Sequence, residues 1–129
     1  MGERLVLALV PDLMFATQIE EALERLGYTP CFLADGAALL ARAQGAPPAL
    51  VLLDLAARGA DVPAVIRALK DDPATGGVPV VAFGPHLDEA ARAAAVTAGA
   101  DAVVANSKLA FDLPGLVTRY AVPPDAAAP

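Results

Sequence analysis

The chain has 129 residues, 57% of them hydrophobic, and its 15 acidic and 9 basic residues give a formal net charge of -6. This length and hydrophobic content indicate one globular domain with its own core and exclude a disordered chain. The acidic residues are spread along the sequence, so we expect no direct binding to nucleic acid or to an anionic membrane. The first apolar run, Leu5 to Val10, ends at Pro11 and Asp12. It is too short for a membrane span or a signal sequence, which favours a cytoplasmic protein.

Apolar runs of strand length alternate with segments of helical periodicity along the chain. In the helical segments, apolar side chains recur every three or four residues with polar residues between them, and glycine or proline follows most of these segments. In chain order the predicted elements are a strand at 5–10, a helix at 13–26, a strand at 29–33, a helix at 36–44, a strand within 48–55, a helix at 62–70, a strand at 79–83, a helix at 88–98, a strand at 102–105 and a helix at 108–120.

Strands and helices that alternate in this way predict a parallel sheet with right-handed crossovers and helices on both faces. We predict a flavodoxin-like (βα)5 doubly wound fold with the strand order 2-1-3-4-5. The domain is expected to cover residues 1–121, and the Pro- and Ala-rich residues 122–129 to form a disordered tail. The first and third strands are neighbours in this order, so a site is expected at their carboxyl ends.

Two acidic residues end these neighbouring strands. Asp54 closes the uninterrupted apolar run Leu50 to Leu53, and Asp12 follows the first strand. A carboxylate at the end of a buried strand is either the reactive group of a site or a cap for the following loop. Two carboxylates in one crevice repel each other, so a cation such as Mg²⁺, an arginine partner or a raised pKa is expected to compensate.

The sequence resembles the receiver domain of two-component response regulators over residues 4–121. The resemblance lies in LVLLDL at 50–55, IRALKDDPATGGVPVVAFG at 66–84, GAD at 99–101 and LGY at 26–28. In that family, the aspartate that ends the third strand accepts a phosphoryl group from a histidine kinase, and an acidic pair after the first strand holds Mg²⁺. The resemblance therefore implies that Asp54 is the phosphoacceptor and that Asp12, with Asp54, is a weak candidate for holding the metal.

The same comparison indicates an atypical, degenerate member, because most other positions of the family's pocket have changed. One of the acidic pair is Pro11, the Thr or Ser that ends the fourth strand is Gly84, the lysine that ends the fifth strand is Asn106, and the aromatic residue of the fifth strand is Val103. The proline four residues after the phosphoacceptor is Arg58. The resemblance implies that these positions no longer form a complete pocket.

Two basic residues could replace the lost charge. Arg58 either pairs with Asp54 or Asp12, or is a solvated loop arginine, and we favour the second interpretation. Lys108 lies two residues after the position of the family's lysine.

Phosphoryl transfer needs positive charge and hydrogen-bond donors at the equatorial oxygens. Gly84 has no side chain to donate, Asn106 has no charge, and a missing carboxylate weakens a Mg²⁺ site. We therefore predict a signalling module of a phosphorelay that acts by protein–protein contact, with weak or no phosphorylation at Asp54. It is not expected to be an enzyme, and no cofactor is expected to be required, although Mg²⁺ could bind weakly. The alternative is a functional, Mg²⁺-dependent phosphoacceptor that a histidine kinase phosphorylates at Asp54.

The expected partner is a protein, either a histidine kinase or another signalling protein. The alanines of the fourth helix reflect helix propensity, or they form with the fifth strand and the fifth helix a surface for a homodimer. A third hypothesis is a flavodoxin-like domain that binds a small ligand. No glycine-rich phosphate loop follows the first strand, where Pro11, Asp12 and Leu13 stand instead, so this hypothesis is the weakest.

Overall fold

The computed structural model describes residues 4–57, 60–85 and 88–122, where strands and helices alternate. The strands are β1 (Leu5–Leu9), β2 (Thr29–Phe32), β3 (Leu50–Asp54), β4 (Val80–Gly84) and β5 (Ala102–Ala105), and the helices are α1 (Leu13–Arg25), α2 (Gly36–Gly45), α3 (Val62–Asp71), α4 (Glu89–Ala98) and α5 (Asn106–Tyr120). Arg58 and residues 123–129 of the predicted tail lie outside the described ranges. None of the helices in these ranges has the length and apolar character to cross a membrane.

The strands form a parallel sheet in the order β2-β1-β3-β4-β5, which confirms the predicted flavodoxin-like fold. β1 and β3 pair directly, with Leu9 opposite Leu53. Asp12 and Asp54 therefore follow these paired positions at the same edge of the sheet. Beside them, Asp54 is opposite Phe83 and Gly84 is opposite Ala105 in the register.

Apolar side chains are buried on both faces of the sheet. Along β1, Leu5, Leu7 and Leu9 belong to a core shared with α2, α3 and α4, whereas Val6 and Ala8 belong to a core shared with α1 and α5. Successive side chains of a strand point to opposite faces, so a strand covered on both sides is apolar throughout. This explains why the central strands are uninterrupted hydrophobic runs in the sequence.

α5 differs from its predicted form at its start. It begins at Asn106, two positions before the predicted start at Lys108, and its N-cap Ala105 makes no side-chain capping bond. The helix is kinked at Asp112, where φ is -125° and ψ is 33°, because Pro114 has no N–H to continue the helical ladder. The Asp112 carboxylate lies against the next turn, where a Cβ on Gly115 would be 2.5 Å from Asp112 Oδ1.

A polar cluster ties the opposite, amino-terminal edge of the sheet to α3. Lys70 Nζ donates to the Val78 carbonyl at 2.9 Å and to Asp101 Oδ2 at 2.8 Å, and the Val80 N–H donates to the same Asp101 oxygen at 2.7 Å. These bonds join the end of α3 to the starts of β4 and β5. On the same side of the domain, the Val122 N–H donates to the Ala49 carbonyl at 2.9 Å.

Candidate functional site

Asp12 follows β1 and caps α1. Its Oδ1 accepts hydrogen bonds from the N–H groups of Met14 at 2.9 Å and Phe15 at 3.1 Å. This geometry satisfies two of the free N–H groups at the start of the helix. The candidate metal ligand therefore also has a structural task, and that task engages one of its two carboxylate oxygens.

Asp54 is half-buried at the carboxyl end of β3, and its Oδ1 accepts a hydrogen bond from the Ala56 N–H at 2.8 Å. Burial raises the pKa of Asp54, the Ala56 hydrogen bond opposes that shift, and the negative charge of Asp12 raises the pKa further. The charges of Asp12 and Asp54 therefore influence each other at the carboxyl edge of the sheet. Asp54 also caps its own loop, which is one of the two roles that the sequence left open; the reactive role stays a prediction.

Neither Asp12 nor Asp54 takes part in a salt bridge of the described ranges. Within 4–57, 60–85 and 88–122, the salt bridges are Lys70 to Asp101 and Lys108 to Asp112. Lys108 is exposed and its Nζ lies 2.9 Å from Asp112 Oδ2, so it does not take the place of the lysine that Asn106 replaces. Arg58, the other predicted candidate, lies outside these ranges.

Asn106 and Ser107 form the first turn of α5 and face the start of α1. Between the two helices lies a groove of about 370 Å³, which we call the α1–α5 groove. Its lining residues are Asp12, Met14, Phe15, Gln18, Asn106, Ser107 and Ala110. Asn106 and Asp12 both line this groove, and Asn106 contributes an uncharged amide to it.

Gly84 and Val103 line a second, much smaller cavity of about 30 Å³, together with Leu55 and Arg92. A Cβ on Gly84 would lie 3.2 Å from Leu55 Cβ, so the Leu55 side chain covers the place where a hydroxyl-bearing residue would stand. Val103 is half-buried in the edge strand β5. This volume is about that of one water molecule, so small side chains here leave only a minor void.

The donor atoms at the crevice suit Mg²⁺ only in part. Mg²⁺ prefers carboxylate oxygens in octahedral geometry and retains several waters. Asp12 and Asp54 supply two carboxylates, each with one oxygen already bonded to backbone N–H, while Pro11 supplies none. Across the parts of the chain that the structure describes, no group of three or more acidic, histidine or cysteine side chains could hold a metal ion.

Sequence reasoning missed two features of this edge. Leu13 and Met14 are largely exposed although they directly follow Asp12, and Phe111 on α5 is exposed as well. The signal was present, because a helical wheel that places Phe15 and Ile19 toward the core turns Leu13 and Met14 outward. The position of Leu55 over Gly84 had no signal in the sequence, since it depends on the packing of two neighbouring strand ends.

No family model matches the sequence, and no curated protein matches it. Solved structures do match. The signal receiver domain of a signal transduction histidine kinase from Syntrophus aciditrophicus has a TM-score of 0.80 at 22% identity, over 92% of this chain and 89% of that one. The chemotaxis response regulator CheY4 of Vibrio cholerae has a TM-score of 0.80 at 18% identity, over 91% of this chain and 98% of that one. The Mn²⁺-bound form of the response regulator Rcp1 has a TM-score of 0.76 at 20% identity, over 88% of this chain and 91% of that one. The chain therefore has the fold of response regulator receiver domains.

Proposed function

We propose that this chain is an atypical response regulator receiver domain of phosphorelay signalling that acts by protein–protein contact, with weak or no phosphorylation at Asp54. One observation carries the proposal. Asp54 stands at the carboxyl end of the central strand in a receiver fold, while Gly84 ends the adjacent strand β4 and Asn106 follows β5, in place of a hydroxyl and a cation. This arrangement supports a candidate phosphoacceptor whose neighbours offer neither a hydroxyl nor a positive charge.

The chemistry explains why those two positions matter. In phosphorylation, a carboxylate oxygen of Asp54 forms a bond to phosphorus while the bond from phosphorus to the leaving nitrogen or oxygen breaks. Negative charge on the three equatorial oxygens must be balanced for this step to be fast. Gly84 has no donor and Asn106 has an uncharged amide, so the barrier stays high.

Mg²⁺ would supply charge neutralisation when bound, and Asp12 and Asp54 are the residues that would hold it. Each of them already accepts backbone hydrogen bonds through one oxygen. Binding through the remaining oxygens would be weak, because one carboxylate of the family's acidic pair is replaced by Pro11. This donor set supports a module that works without a resident metal.

The same substitutions support a surface that is independent of phosphorylation. A modification can shift a conformational equilibrium only if it interacts differently with the two states. Gly84 has no side chain that could move toward a phosphoryl group, and Val103 is a small aliphatic residue instead of an aromatic ring. The surface of α4, β5 and α5 is then one fixed shape, available to a protein partner or to a second copy.

A functional phosphoacceptor is the alternative. The mutual influence of Asp12 and Asp54 favours it, since two interacting carboxylates at one crevice are a rudimentary Mg²⁺ site. In that case the partner would be a histidine kinase that phosphorylates Asp54.

Treatment with acetyl phosphate and Mg²⁺, followed by intact mass measurement, distinguishes the proposed function from this alternative. We expect most of the protein to keep its mass, and the Asp54→Asn variant serves as the control. Near-complete addition of one phosphoryl group that is absent in Asp54→Asn would refute the proposed function and establish the alternative.

A further inference from the structure

A second groove lies between the first turns of α2 and α3, and we call it the α2–α3 groove. Its volume is about 370 Å³. The apolar part of its lining consists of the half-buried Leu40, the buried Val65 and two exposed alanines, Ala37 on α2 and Ala64 on α3. A cleft between two helices with an apolar floor is a common place for a side chain of a partner helix.

Close packing of the two helices fixes this groove. A Cβ on Gly36 would lie 2.7 Å from Val65 Cγ2, so the absence of a side chain lets the first turn of α2 lie directly on α3. At the other end of the two helices, Gln44 Nε2 donates to Asp72 Oδ2 at 3.1 Å. The helices are therefore held together at both ends, and the small side chains of the alanines leave the space between them open.

Two carboxylates lie at the mouth of the α2–α3 groove. Asp35 caps α2, with its Oδ1 accepting from the Ala38 N–H at 2.8 Å, and Asp61 caps α3, with its Oδ1 accepting from the Ala64 N–H at 3.1 Å. Among the hydrogen bonds and salt bridges of 4–57, 60–85 and 88–122, none uses the second oxygen of either side chain. Both carboxylates are exposed, so these oxygens can accept from a cationic group outside the domain.

Shape and charge together select the occupant. The planar guanidinium of an arginine has five N–H donors and can bond to two carboxylates at once. A neighbouring aliphatic side chain would enter between Ala37 and Ala64 and contact Leu40 and Val65. The chain's own net charge of -6 opposes approach by a second copy or by nucleic acid. A protein segment that carries one arginine beside an aliphatic residue matches both parts of the groove.

We propose that the α2–α3 groove binds a helical segment of a protein partner, which places an aliphatic side chain on Leu40 and Val65 and an arginine between Asp35 and Asp61. The inference rests on the proposed function as a protein-contact module. It adds a contact surface apart from α4, β5 and α5, because α2 packs on β1 and α3, away from the edge strand β5. The chain then has two contact surfaces, as a protein that joins two partners requires.

A pair of synthetic peptides tests this with the complete chain. Both are helical alanine-rich peptides of about 15 residues with one central leucine, identical except that one carries an arginine and the other a glutamine one turn from the leucine. Each is titrated into ¹⁵N-labelled protein at low salt, and the amide shifts give the site and the dissociation constant. We expect shifts at Ala37, Leu40 and Ala64, and about fivefold tighter binding of the arginine peptide, the size of one exposed charge pair.

Charge variants locate the arginine. The double variant Asp35→Asn with Asp61→Asn keeps both helix caps, because asparagine caps as well as aspartate, and should abolish the preference for the arginine peptide. Asp88→Asn is the matched control. Asp88 caps α4 in the same way, with its Oδ1 accepting from the Ala91 N–H at 2.9 Å, and its substitution should leave the preference unchanged.

A filling variant locates the aliphatic contact. Ala64→Leu places a larger side chain in the α2–α3 groove at an exposed helical position and should weaken both peptides. Ala93→Leu, the same change at an exposed position of α4, should weaken neither.

Equal affinity for the two peptides, shifts centred outside α2 and α3, or no shifts with either peptide would overturn the groove proposal. So would binding of free argininamide as tight as that of the arginine peptide, which would indicate a small-cation site, or concentration-dependent shifts at Ala64 without peptide, which would indicate a second copy.

These outcomes are distinct from failure of the proposed function. Phosphorylation by acetyl phosphate would refute that function and leave the peptide preference intact, whereas a failed titration with unmodified Asp54 would refute only the groove.

Discussion

Replacing Asp54 by asparagine should leave the protein as stable as before or make it more stable at neutral pH. Burial raises the pKa of Asp54 in the folded protein above its ordinary value of 3.8, and the charge of Asp12 adds to that effect. As pH rises, the unfolded chain therefore loses this proton before the folded protein does. The folded state binds more protons in this window, so its stability falls with rising pH until Asp54 is ionised in both states.

The size of the change in stability follows from the hydrogen bond that asparagine keeps and the charge that it removes. The amide oxygen of the substituted side chain would still accept the 2.8 Å hydrogen bond from Ala56, so only the charge is lost. A half-buried carboxyl is partly screened by solvent, which limits the gain to about 1 kcal/mol or less at pH 7. Asp54→Ala removes the acceptor as well, which costs about 0.5–1.5 kcal/mol, and it should be less stable than Asp54→Asn.

Urea unfolding of the three proteins across a pH series measures these differences. The advantage of Asp54→Asn over the parent should be greatest near neutral pH and should shrink toward zero as pH falls below 3.8, where Asp54 is protonated in both states. A loss of more than about 1 kcal/mol in Asp54→Asn at pH 7 would refute this reasoning. It would show that Asp54 is paired with a cation, and Arg58 would be the first residue to test.

Three further predictions concern the metal, the switch and the anchoring of the sheet. Calorimetry should give a Mg²⁺ dissociation constant in the millimolar range or weaker, an order of magnitude from the ligand count; tight binding that Asp12→Ala abolishes would contradict the degenerate site. With beryllofluoride and Mg²⁺, amide shifts should be absent or limited to the vicinity of Asp12 and Asp54, whereas large shifts confined to 84–120 would show that a switch survives by another route. Asp101→Ala should lower the free energy of unfolding by about 2 kcal/mol, because the Val80 N–H and Lys70 lose their acceptor; Lys108→Gln, which removes only an exposed pair, should change it by less than about 0.5 kcal/mol.

The fold could be predicted from the sequence because the strands are buried on both faces. Such strands appear as uninterrupted apolar runs, and the helices between them carry apolar residues at a different period. The start of α5 could not be predicted correctly. Asn106 and Ser107 have modest helix propensity, and the N-cap Ala105 has no capping side chain, so the local signals placed the start at Lys108.

The sequence predicts where the residues of the candidate site lie, but it predicts only some of their contacts. Asp12 and Asp54 come to one edge because β1 and β3 are neighbours, which the strand order predicts. Asp12 directly precedes the predicted first helix, which is a sequence signal for a capping residue. The cover of Leu55 over Gly84 depends on packing distances that no spacing in the sequence encodes. The partners of Arg58 stay a prediction, since that residue lies outside the described ranges.

The break in α5 at Asp112 divides the helix into two parts that should open independently. The part after the break holds Leu113, Leu116 and Val117 in the core, whereas the part before it contributes one buried residue, Leu109. The amide hydrogens of the part before the break should therefore exchange through local opening, and those of Leu116 and Val117 only when the whole domain unfolds. The start of α5 can then open while the rest of the domain stays folded.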